Sequence, residues 1–129
     1  MMTSANDDRL VTIAELMDSA GRDAQFTELD PFGERHGCWE RTLHRENGGL
    51  RRYVSLAITP DDDSPELSVI AGAEDDRRRR RIDLGTIRLE GSDSSGWPAD
   101  SIRRLLVSAL QMAQQIEAVQ LDDDRRSAS

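Results

Sequence analysis

Five consecutive arginines, Arg77 to Arg81, are the densest chemistry in a chain of 129 residues with a net charge of −8. Guanidinium groups are planar, permanently charged forks that grip carboxylates or phosphates with two hydrogen bonds at once. In an extended strand, side chains two apart share a face. Arg77, Arg79 and Arg81 then line one side at about 6.6 Å spacing, while Arg78 and Arg80 join Ile82 on the other. Three forks at that spacing suit the carboxylates of an acidic protein or a row of phosphates. The competing reading is a solvated strand end, neutralised by Glu74, Asp75 and Asp76 just before it, that discourages edge-to-edge aggregation.

A second basic segment accompanies the run. Residues 41–52 hold four arginines and one glutamate, and residues 77–90 hold six arginines and two acids. Together they carry +7, which leaves −15 to the rest of the chain. Arg51 and Arg52 therefore join Arg77, Arg79 and Arg81 as candidate partner-binding residues. All 17 basic residues are arginine and lysine is absent. A GC-rich bacterial genome explains that bias, with a halophilic source second, and the bias lowers the weight of any one arginine run.

His36, Cys38 and His44 are the only soft metal ligands or nucleophile-and-base pairs. Even numbering puts all three on one strand face. Cys38 and His44 are about 20 Å apart along a strand, too far for one metal ion. His36 and Cys38 are close enough for a Cys-His pair, but no third group is identifiable to orient it. Asp61–Asp63 and Asp122–Asp124 lack the alternating spacing and glycine of a calcium loop. No phosphate-cradling glycine loop or nucleophile elbow occurs. The expectation is a protein without catalysis, cofactor or metal.

The elements that position these residues follow from hydrophobic period. Leu10, Ile13, Ala14 and Met17 recur at helical spacing, predicting a short helix over 8–20 with Gly21 at its C′ position. Residues through Pro31-Phe32-Gly33 read as a linker. From 36 the period is two. Segments 36–45 and 50–59 flank Glu46-Asn47-Gly48-Gly49, a hairpin signal. An Asn47-Gly48 turn pairs Trp39 with Leu56, Arg41 with Val54 and Leu43 with Arg52. Trp39 and Leu43 then share the apolar face of Val54, Leu56 and Ile58; a one-residue slip would bury Cys38, Glu40 and Thr42 instead.

Strand three covers 66–73. Strand four starts inside the arginine run, and its apolar phase switches between Ile82/Leu84 and Ile87/Leu89. A bulge at Gly85 reconciles the halves; the alternative is that one strand ends there and another begins. Ile102, Leu105, Leu106, Ala109, Ala113 and Ile116 predict a long helix over 98–119, opened by Pro98. Trp39 reads as core and Trp97 as a cap over the end of the sheet.

The expected fold is α+β in two layers: a four-stranded antiparallel meander covered by a long C-terminal helix, with a short N-terminal helix. Residues 7–120 form the single domain, flanked by a disordered N-terminus (1–6) and a disordered charged tail (121–129). A thin core, with aromatics at 4%, favours a homodimer. One cysteine and no apolar leader or bilayer-length stretch point to the cytoplasm and away from a membrane. The functional expectation is a small protein-interaction module: an adaptor, immunity-type or secretion-chaperone-type protein. The secretion-chaperone analogy is one of size, acidity and fold class, since the helix those chaperones place between strands has no counterpart here. The alternative is a nucleic-acid-binding accessory protein using the arginine strand.

Overall fold

Period-two alternation builds the centre of the molecule. The computed structural model describes residues 8–35, 37–59, 65–89 and 98–123. Residues 1–7, His36, Asp61–Asp63, Trp97 and 124–129, which carried expectations above, lie outside the described residues. In chain order the elements are α1 (Asp8–Asp23), β1 (Thr27–Arg35), β2 (Cys38–Asn47), β3 (Leu50–Thr59), β4 (Glu66–Glu74), β5 (Arg78–Arg88), α2 (Ala99–Gln115) and β6 (Asp122–Asp123). The strands form one antiparallel sheet in sequence order.

The α+β class and the meander hold, but the sheet has one more full strand than expected, and β6 adds a two-residue edge. The missed strand is β1. Pro31 and Gly33 mark it as a linker by composition, and register shifts between Glu28 and Asp30 and between Asp30 and Gly33 break its alternation. Both features are tolerated because β1 is an edge strand. Phe32, inside the presumed linker, is buried in the main core. The tail is also anchored further than expected. Leu121 is buried against Leu50, Ala73 and Ile116, and the next two residues pair with β5.

The β2–β3 turn falls on Gly48 and Gly49, with φ of 64° and 81°, the paired left-handed geometry that suits a two-residue hairpin. Trp39 therefore pairs with Ile58, Arg41 with Leu56 and Leu43 with Val54. The predicted register was two residues off. A shift of two preserves parity, so the predicted faces survive. The bulge is present: Val69 pairs with Gly85 and Ile70 with Asp83, leaving Leu84 as the extra residue at a glycine with φ of 123°.

Both helices cover one face. Ile13, Met17 and Ala20 of α1 and Ile102, Leu106, Ala109, Leu110 and Ala113 of α2 meet Leu43, Val54, Leu56, Ile58, Leu67, Val69 and Ala71 in one core. α1 runs past its predicted end because Gly21 serves packing rather than capping. A Cβ there would lie 2.9 Å from Leu43 Cδ1. The left-handed residue that ends the helix is instead Gln25, with φ of 63°, and Phe26 N–H donates to Gly21 O at 2.9 Å. No described helix is long and apolar enough to cross a membrane.

One charged side chain is buried on the core face among the described residues. Arg41 is 5% exposed, on the same side of β2 as Leu43. Its Nη2 donates to Asp18 Oδ1 of α1 at 2.7 Å and its Nε to Glu28 Oε2 of β1 at 2.9 Å. Its Nη1 donates to Ala14 O at 3.4 Å. A buried guanidinium is tolerable only when its donors are met, and these three partners meet them. Arg41→Ala should lower stability by about 2–4 kcal/mol. Asp18→Asn should cost only about 1 kcal/mol, because its carboxylate is half-exposed and well hydrated. Urea denaturation of both variants checks the ranking; a full loss in Arg41→Ala with none in Asp18→Asn would show that Arg41 acts through packing alone.

Candidate functional site

With the helices on one face, the other face of the sheet is left without a helix among the described residues. Parity sends Glu40, Thr42 and His44 of β2, Arg51, Tyr53 and Ser55 of β3, Ile70, Gly72 and Glu74 of β4, and Arg79 and Arg81 of β5 to that open face. The open face is where the sequence-predicted arginines were expected to act, and the structure divides them.

Arg79 and Arg81 lie in β5 on the open face, opposite Glu74 and Gly72. Arg77 does not join them, because β5 begins at Arg78. The expected triplet is therefore a pair, and Arg77 belongs to the β4–β5 turn. Asp75 builds that turn. Its Oδ1 accepts the N–H groups of Arg77 at 2.9 Å and Arg78 at 2.7 Å. Its Oδ2 accepts Nε and Nη2 of Arg78 at 3.1 and 2.8 Å. Asp75 N–H donates to Arg78 O at 2.9 Å, closing the loop.

Arg51 is on the open face, but Arg52 is not. Arg52 points to the helix side, where its Nη2 donates to Ile116 O at the end of α2 at 2.8 Å. Arg45, on the same side, donates to Ala24 O just beyond α1 at 3.3 Å. Both arginines satisfy carbonyls left over at helix C-termini, where a positive charge is favoured.

The charge that was segregated in sequence is interleaved in space. Glu46, Arg51, Glu74 and Arg79 are successive partners across β2, β3, β4 and β5. They form one line of alternating sign across the sheet. Arg51 holds Glu46 at 2.9 Å and Glu74 at 3.4 Å. Farther along, Arg88 reaches Glu66 at 3.7 Å. Opposite charges facing one another across strands are the stabilising arrangement. Arg77, Arg80 and Arg81 are the members of the arginine run whose side chains are exposed with no ion pair among the described residues.

The next line is His44, Tyr53, Gly72 and Arg81. The Tyr53 ring lies directly over Gly72: a side chain there would collide with the ring and approach Arg80 O to 2.8 Å. Burial, helped by the charge of Glu74, pushes the Tyr53 hydroxyl's pKa up, against the opposing pull of Arg81 and Arg79. An open groove of about 250 Å³ runs past Tyr53, with Leu29, Ile70, Arg51 and Arg81 along its walls. Thr42 and Ser55 share a 2.6 Å hydrogen bond at its base.

Cys38 and His44 fall on the open face as predicted, separated by Glu40 and Thr42 along β2. Cys38 Sγ lies 3.7 Å from Thr59 Oγ1. No group of three or more metal-binding side chains occurs among the described residues. Sequence reasoning missed Arg80, Gly72 and Ile70 as surface-forming residues and gave Tyr53 no role. The signal was available in the odd numbering of Arg51, Tyr53 and Ser55, opposite in phase to Val54, Leu56 and Ile58.

Two expectations follow. Gly72→Ala should cost about 1–3 kcal/mol by displacing the Tyr53 ring. Adding Tyr53→Ala should recover part of that loss, and urea curves that add without recovery would exclude the contact. The backbone N–H of Arg77, then the side chain and N–H of Arg78, hold the Asp75 carboxyl below the usual aspartate range. The lowered folded value means the ionised form is the stabilising one. Its contribution is complete above the unfolded aspartate pKa and disappears as pH falls through the folded one. Asp75→Asn should therefore lower stability at neutral pH and close the gap to the parent in acid; a gap independent of pH would exclude the carboxylate as its source. No protein-family model, no curated protein and no solved structure matches the chain.

Proposed function

We propose that the protein is a small interaction module that works without catalysis and binds an acidic segment of another protein along the arginine strand β5. One observation carries this reading. The chain's own acidic segment, Asp122–Asp123, lies antiparallel on Arg79 and Arg78 as strand β6. The strand's backbone therefore already pairs with an extended segment whose sequence is acidic.

The arginines that remain are the supporting argument. Arg78 is committed to Asp75, Arg51 to Glu46 and Glu74, and Arg52 to the end of α2. Arg77, Arg80 and Arg81 stay exposed near one end of an outer strand. Exposed guanidiniums take carboxylates bidentately when a partner supplies them. The chain's −8 charge disfavours long-range attraction to an acidic partner, so recognition is short-range and fades with salt.

A second reading has one observation of its own. Tyr53 beside Arg81 pairs an aromatic ring with a cation, the arrangement that stacks a base and holds a phosphate. Fluorescence anisotropy separates the two with a labelled glutamate-rich peptide and a labelled random single-stranded oligonucleotide, each titrated at about 20 and 200 mM salt. The peptide should bind and weaken at least about fivefold in Arg80→Ala plus Arg81→Ala, a loss of the size expected for one or two charge-assisted contacts. Tighter, steeply salt-dependent binding of the oligonucleotide would replace the first reading with the second. Absence of binding to either probe at low salt overturns both.

A further inference from the structure

The outer side of β5 is occupied over only part of its length. β6 pairs with Arg78 and Arg79. From Arg80 to Arg88 the strand has β4 on one side and no strand on the other among the described residues. Such an edge turns every second backbone N–H and C=O outward. Alongside it, where β5 passes the first half of α2, lies an open groove of about 330 Å³. Leu84 and Ile87 of β5 and Leu105 of α2 line it, with Arg104 among the helix residues that border it. All three apolar side chains are only partly buried and rest on the main core. Leu84 reaches the groove because it is the extra residue of the Gly85 bulge.

The chain displays what this strand accepts. After α2 it makes one 3₁₀ turn, Ala118–Gln120. It then buries Leu121 in the small core that Ile82 packs against and lays Asp122–Asp123 along β5. The occupant is an aliphatic anchor followed directly by acidic residues in extended form.

We propose that the rest of the edge, Arg80 to Arg88, together with its groove toward α2, is a strand-addition site. The segment it takes is extended, comes from the partner protein, and carries an aliphatic side chain with carboxylates two residues to either side, on the same face. This rests on the reading of β5 as a surface for acidic protein segments. The segment's backbone pairs with the outward groups of β5. Its aliphatic side chain enters between Leu84, Ile87 and Leu105. Its carboxylates meet Arg80 and Arg104, neither of which has an ion pair among the described residues. A second copy is the poorer occupant: antiparallel pairing centred on Leu84 sets Arg80 against Arg88, a like-charge opposition across strands.

Two labelled peptides of equal charge test the site: Ser-Glu-Ser-Leu-Ser-Glu-Ser, whose leucine and glutamates share one face of a strand, and Ser-Glu-Ser-Ser-Ser-Glu-Ser. The first should bind the full chain about tenfold tighter, the order expected for burying an aliphatic side chain. Its binding should protect backbone amides between Arg80 and Arg88 from hydrogen exchange. Arg104→Glu, an exposed helix position, should weaken it about fivefold or more. Equal binding of both peptides without new protection in β5 leaves the acidic-segment reading standing and overturns strand addition. Failure of both peptides to bind overturns the two together.

Discussion

A single buried guanidinium ties the layers of this molecule together. Arg41 occupies a core-face position in β2, yet its side-chain hydrogen bonds reach neither β2 nor β3. They go to Asp18 and Ala14 on α1 and to Glu28 on β1. A core with few aromatic side chains has little apolar area with which to dock a short helix against a sheet edge. The charge network adds direction to that packing, because a guanidinium satisfies three partners only when each lies in its plane. α1 is thereby placed over the β1–β2 side of the sheet, with Gly21 letting it approach Leu43 closely. α2 then covers β3, β4 and β5 beside it, and the far face carries no helix among the described residues.

Antiparallel pairing explains how a chain with segregated charge becomes a sheet with alternating charge. A hairpin reverses the chain, so an acidic turn and the basic strand that follows fold back on the preceding strand. Glu74 lands opposite Arg79 because only four residues separate them. Arg51 then stands between Glu46 and Glu74. The +7 of the two basic segments is dispersed in three ways: to carboxylates across strands, to the carbonyl ends of helices through Arg45 and Arg52, and to the core through Arg41. The two basic segments therefore form no continuous patch of like charge among the described residues. What survives is local, at Arg77, Arg80 and Arg81.

Most of the strands and both helices were legible in the sequence because burial on one face enforces a period. Parity was legible even where register was not. Asn47-Gly48 and Gly48-Gly49 are both good two-residue turns, and the frames they set differ by two residues, so Leu43 and Trp39 face the same way in either. β1 was illegible because Pro31 and Gly33 are turn residues by composition, and nothing local shows that an edge strand will absorb them. The buried Arg41 was illegible for a related reason: its partners Asp18 and Glu28 come from elements whose docking no local pattern specifies. The arginine run announced its chemistry but not its context. Its split into a turn residue, a helix-side pair and an open-face pair depends on Asp75 fixing the strand start at Arg78.

The two ends of β5 are finished by different means, and the difference bears on what the strand can recruit. At its start, charge does the work: Asp75 closes the turn, Glu74 faces Arg79, and β6 covers the edge. At its far half, geometry does: the Gly85 bulge kinks the strand and interrupts a continuous ladder. An antiparallel pairing with another copy centred on Leu84 meets like-charge opposition between Arg80 and Arg88, and the kink denies it a flat ladder. On the proposed reading, a short acidic strand turns the like-charge repulsion into attraction and need only follow the kink. Selectivity at an edge is a difference between affinities, and an arginine-bordered, bulged edge sets that difference through what it repels as much as through what it holds.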